Sequence, residues 1–121
     1  GNITVMAQSN ETSTVAGASF SAAGFKIGMG SRATDSTATR GKITATDIGV
    51  SYTMGDIMFV ATSAKGKEAN AANRKDTYSN VGVSYTVAPG VIAMVESANY
   101  DRSDNNTNDG SSTWFGVSID F

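Results

Sequence analysis

Apolar and small polar residues alternate along most of the chain. Val, Ile, Phe and Tyr recur every second position, and clusters of Gly, Asn and Asp bound each run. A period of two is the signature of β-strands, whose successive side chains point to opposite faces. Four segments repeat one pattern: Ala16-Gly17-Ala18-Ser19-Phe20-Ser21-Ala22, Ile48-Gly49-Val50-Ser51-Tyr52-Thr53-Met54, Val81-Gly82-Val83-Ser84-Tyr85-Thr86-Val87 and Phe115-Gly116-Val117-Ser118-Ile119-Asp120-Phe121. Their starts lie 32, 33 and 34 residues apart. Such regular self-similarity sets an architecture. In each copy one strand face is bulky and the other is Gly, Ser, Thr or Asp.

The first three copies run into short turns at Ala22-Ala23-Gly24, Met54-Gly55-Asp56 and Ala88-Pro89-Gly90, where Gly and Pro suit hairpin geometry. A second strand follows each turn and ends in a longer polar stretch: 33–41, 65–76 and 101–110. One further strand precedes the first copy. The pattern predicts strands near 2–8, 14–22, 24–32, 43–54, 57–64, 77–87, 91–100 and 112–121 in a single segment, 1–121. Short turns fall on one side and longer loops on the other, which makes an all-β, up-and-down antiparallel meander.

Composition decides which solvent the bulky face meets. The residues opposite it include Gly17, Ser19, Gly49, Ser51, Gly82 and Ser84, with scarcely a charge among them. They are a poor surface for a water-soluble sandwich. In an outer-membrane barrel the order reverses: apolar residues face lipid and small polar ones line the lumen. No apolar run approaches the roughly 18–20 residues of a membrane helix, but strands of about 9–11 residues suffice to cross. Phe20, Tyr52 and Tyr85 share one repeat position, and Phe25 and Phe121 lie near the same rim. Together they predict an interfacial aromatic girdle.

The ending Trp114-Phe115-Gly116-Val117-Ser118-Ile119-Asp120-Phe121 resembles the terminal strand of bacterial outer-membrane proteins. There a final aromatic and the alternating apolar residues before it are read by the barrel-assembly machinery; Phe115, Val117, Ile119 and Phe121 fill those positions. The repeated Gly-Val-Ser-Tyr-Thr strands and small turns resemble the C-terminal half of an alphaproteobacterial-type general porin. That resemblance implies a homotrimer in the outer membrane of a Gram-negative bacterium. Each subunit would be a transmembrane β-barrel of about 16 strands that passes small hydrophilic solutes and ions by diffusion. Eight strands are half of such a barrel, and the inward constriction loop of the family is missing. The chain is therefore either a porin segment or a complete eight-stranded barrel with an anchoring or adhesion role and no conducting pore. An eight-stranded interior must be filled by side chains. Met58, Val60, Ile92 and Met94 could fill it, although both faces of 57–64 are apolar and the period alone does not orient that strand.

Candidate chemistry is sparse. The chain has no Cys and no His, which excludes thiolate chemistry, Ser-His-Asp triads and ordinary zinc sites. No cofactor and no enzymatic activity are expected. A net charge of −2 offers no basic footprint for nucleic acid. Lys26, Arg32, Asp47, Glu96 and Asp120, with Ser51, Ser84 and Ser118, fall in the lumen phase and are the candidate pore-lining set; Arg102, Tyr78, Tyr100 and Trp114 share it. Charges so placed set a transverse field that biases ion selectivity. Asp101, Asp104 and Asp109 form a weak oxygen-donor candidate for Ca²⁺, without EF-hand spacing. Lys65, Lys67, Arg74 and Lys75, mixed with Glu68 and Asp76, read as a solvated external loop within reach of anionic lipid headgroups.

Overall fold

The computed structural model describes residues 1–35, 41–69, 75–103 and 109–120. They form β1 (Asn2–Ser9), β2 (Ser13–Ala22), β3 (Phe25–Thr34), β4 (Ile43–Met54), β5 (Ile57–Glu68), β6 (Lys75–Ala88), β7 (Val91–Arg102) and β8 (Gly110–Ile119). All eight lie in one sheet in chain order, each antiparallel to the next. Among the described residues β1 and β8 do not meet, so each keeps one unpaired edge.

The three tight turns solve the reversal differently. Between β2 and β3, Ala23 (φ 48°) and Gly24 (φ 83°) both take positive φ, the mirror-image turn that matches strand twist. Gly24 also has no space for a side chain. A Cβ there would sit 2.5 Å from the Thr53 carbonyl oxygen, while the Thr53 N–H donates to the Gly24 carbonyl at 2.8 Å. Between β4 and β5 only Gly55 (φ 59°) is positive. Between β6 and β7, Pro presets the first turn residue and Gly90 (φ 76°) takes the second. Such unprimed turns splay their strands, and here the pairing skips Val87: Thr86 faces Ile92 and Ala88 faces Val91.

Several strands outrun the sequence expectation at the loop end. The stretch 65–76, expected as loop, contributes Lys65–Glu68 to β5 and Lys75–Asp76 to β6, paired Lys65↔Thr77, Gly66↔Asp76 and Lys67↔Lys75. Charge there does not break the ladder, because Lys65, Gly66, Lys67 and Glu68 keep the two-residue alternation. β3 likewise runs to Thr34 and β7 to Arg102, while β3 starts at Phe25 because Gly24 belongs to the turn. β8 starts at Gly110 and ends at Ile119. Phe121 lies outside the described residues.

Cross-strand partners share a face, so the register sorts the whole sheet. Ile3, Phe20, Ile27, Val50, Ala61 and Val81 form one continuous row on the apolar face. Phe25, Tyr52, Phe59, Val83, Val95 and Phe115 form the next. No described apolar side chain is buried. The described residues form a single layer without a core, unlike the two layers of a sandwich. Exposure alternates along β2, with Ala16, Ala18 and Phe20 exposed and Val15, Gly17 and Ser19 half-buried. Among the described residues nothing covers either face, so this difference reflects curvature: the sheet curls toward its polar face.

The repeat has a geometric meaning. Phe20 is in row with Val50, two residues before Tyr52; Tyr52 is in row with Val83, two residues before Tyr85. Tyr85 is in row with Val117, two residues before Ile119. Equivalent positions thus step by two residues for every two strands, or one residue per strand. With about 3.3 Å per residue and about 4.8 Å between strands, the line joining them corresponds to a strand tilt of about 35°, at the lower end of the range for closed barrels.

Candidate functional site

The polar face has the geometry of a lining. Lys26 and Arg32 stand on β3, Asp47 and Ser51 on β4, Ser84 on β6, Glu96 on β7 and Ser118 on β8. Asp120 follows in the same phase. The strand residues among them all occupy the polar face. Lys26 lies directly opposite Ser51, Gly30 opposite Asp47, and Glu96 opposite both Gly82 and Trp114. A groove of ≈ 470 Å³ opens on this face, bordered by Lys26, Asp47, Ser51 and Thr62. Small residues make that space. A Cβ at Gly30 would come within 2.8 Å of Asp47 Oδ1, so the carboxylate lies over the glycine. Arg32 Nε donates to Thr34 Oγ1 at 3.2 Å, which holds the guanidinium along its own strand. The Thr62 hydroxyl donates to Asn80 Oδ1 across the β5–β6 pair.

Period alone left strand 57–64 open, and the register orients it together with β7. Ile57, Phe59 and Ala61 share the apolar face with Tyr52 and Val83. Met58 and Val60 therefore share the polar face with Ser51 and Ser84, as do Ile92 and Met94 on β7. Tyr78 and Tyr100, directly opposite each other, and Trp114 lie on this face too.

The register also brings three charges together at the loop-side rim. Glu68, Asp76 and Arg102 all point into the polar side. Glu68 is buried, at 8 % exposure. Asp76 Oδ1 pairs with Arg102 Nε at 3.4 Å, and the Arg102 N–H donates to Asp109 Oδ1 at 2.7 Å. Glu68 and Asp76 fall in a stretch that reads as loop, yet their even numbering continues the phase of Met58, Val60 and Ser84. That parity is the signal in the sequence that places them here. Asp109 is thereby engaged with backbone, Asp101 lies on the opposite face in row with Thr77, and Asp104 lies outside the described residues. Among the described residues no group of three acidic side chains could hold a metal ion.

On the apolar face, Phe25 and Tyr52 stack with centroids 4.2 Å apart and an interplanar angle of 31°. Phe59 extends this row, and Phe20 and Tyr85 stand one outward position above and below it. Phe115, Val117 and Ile119 line the free edge strand, Phe115 at 89 % exposure.

A one-layer antiparallel meander with a bare apolar face and a curled, small-residue polar face is a segment of transmembrane β-barrel wall. The chain belongs to the Gram-negative porin family, whose model matches residues 1–120. It is a porin-type protein of the outer membrane of Gram-negative bacteria. No curated protein matches it.

Proposed function

We propose that these strands form part of the wall of a water-filled channel for passive diffusion of small hydrophilic solutes and ions. One observation carries the reading: Lys26, Arg32, Asp47 and Glu96 share the curled face with the small residues, while the other face bears the bulky ones. Backbone groups inside lipid must be paired, and the free edges of β1 and β8 then call for strands beyond these eight to close the barrel. The open sheet favours this over an eight-stranded anchor without a conducting path. No catalytic step is part of this reading.

The lining has a sign. Lys26, Arg32 and Arg102 stand against Asp47, Glu68, Asp76, Glu96 and Asp120, so among the described residues the acids of this wall outnumber the bases. Rings and clusters of acid favour cations. The aromatic residues Phe20, Phe25, Tyr52 and Tyr85 form the girdle at the short-turn rim, their one-residue-per-strand descent following a level circle around tilted strands. Phe115, Val117 and Ile119 present the alternating edge that the assembly machinery reads, and the assembled protein is a homotrimer. Planar-bilayer recording tests the channel. Stepwise openings with a reversal potential on the cation side of zero in a salt gradient are expected; silence at high protein concentration overturns the reading.

A further inference from the structure

The long-loop end of the apolar face carries a cluster with no place in a channel lining. Lys65, Lys67 and Lys75 all lie there. Lys67 and Lys75 are direct cross-strand partners, and Lys65 is the next residue of the same face along β5. Thr44, Thr46 and Thr77 surround them: Thr44 faces Lys67, and Thr46 and Thr77 face Lys65. With Ala45, Gly66 and Asp76 they border a cleft of ≈ 380 Å³. The neighbouring acids Glu68 and Asp76 point to the other face. Asp101, in row with Thr77, is the one carboxylate of β7 on this side. Among the described residues no carboxylate is ion-paired with any of the three lysines.

Like charges directly opposite one another on a sheet are destabilising, and here the sheet concentrates them while sending the nearby acids inward. The cluster stands two outward positions beyond Ala61, where the apolar row gives way through Ser63 to hydroxyls and ammonium groups. In a barrel with short periplasmic turns and longer external loops, that is the headgroup level of the outer leaflet. We infer that Lys65, Lys67 and Lys75 bind the phosphate of an anionic lipid headgroup, with the threonine hydroxyls as additional donors. A phosphate oxygen accepts charge-assisted hydrogen bonds from ammonium groups, and cross-strand and same-face spacings of about 5–7 Å place all three within reach of one phosphate. The inference rests on the apolar face meeting lipid.

The test uses the purified full-length protein in detergent and native mass spectrometry, with phosphatidic acid as probe and phosphatidylcholine as control. The intact protein is expected to retain phosphatidic acid over phosphatidylcholine. The K65Q/K67Q/K75Q variant should lose that preference by about tenfold or more, and Lys26→Gln on the opposite face should keep it. Equal retention by the triple variant overturns the assignment. Displacement of the lipid by millimolar inorganic phosphate overturns the lipid as ligand and leaves a free-phosphate site. Should the triple variant not fold, Lys67→Gln alone decides. Relief of the like-charge pair should raise its melting temperature in neutral detergent, and the added stabilisation by phosphatidic acid should shrink; an unchanged lipid response contradicts the proposal. Val83→Arg, far from the cluster, reports separately on whether the face meets lipid at all.

Discussion

Val83 and Ser84 are adjacent in β6 and stand on opposite faces, Val83 in row with Phe59 and Val95, Ser84 in row with Met58 and Met94. Val83→Arg should cost about 2–4 kcal/mol, as for a cation placed on the lipid face near the midplane. Ser84→Arg should leave folding nearly intact and change conductance. Heat-modifiable gel mobility and bilayer recording measure the two effects, and equal loss of folding in both would count against the facing. Asp47→Lys changes the wall by two charges, and its carboxylate already lies over Gly30 in the groove; the reversal potential should move toward anion preference, with the folded fraction unchanged. Most of this was legible in residue phase. Lys26, Asp47 and Glu96 each adjoin a bulky neighbour and Arg32 keeps the even phase of Lys26, which assigns them to one side from the sequence itself. Glu68 and Asp76 escaped because a run of charge looks like solvated loop, whereas the hydrogen-bonded ladder of β5 and β6 continues through it.

At the scale of the element, the hairpins show what a turn motif encodes. The sequence locates all three reversals, and the register and φ values then separate them. Gly55 (φ 59°) has open space where a Cβ would sit, with nothing within 4 Å, whereas Gly24 (φ 83°) abuts the Thr53 carbonyl. Gly55→Ala should therefore cost only the left-handed backbone penalty of about 1–2 kcal/mol. Gly24→Ala should cost distinctly more and loosen the β2–β3 turn from β4. Urea titration followed by gel mobility ranks the two, and an equal or reversed order would contradict the contact. Strand 57–64 could not be oriented by sequence, since Met58 and Val60 are as apolar as Ile57 and Phe59. Only pairing to Tyr52 and Val83 places Phe59 in the aromatic row. The bulge at Val87 was equally hidden, because it follows from how Pro89-Gly90 joins two twisted strands rather than from any local run of residues.

Over the whole molecule, the 32–34-residue repeat and the register describe one object: two strands with their connections, displaced by one residue per strand, which is the stagger of a tilted barrel wall. The repeat period was plain in the sequence, but the stagger was not, because it resides in how one strand sits against the next. The same holds for the free edges of β1 and β8. In such a wall small polar residues meet water and bulky ones meet hydrocarbon. The chain has no Cys, so single cysteines can be read without background. Cysteines placed in turn at 49–52 and 81–85 should react with a membrane-impermeant maleimide in reconstituted protein at 49, 51, 82 and 84 and stay protected at 50, 52, 81, 83 and 85. Labelling in the opposite phase, or at every position alike, would contradict the account.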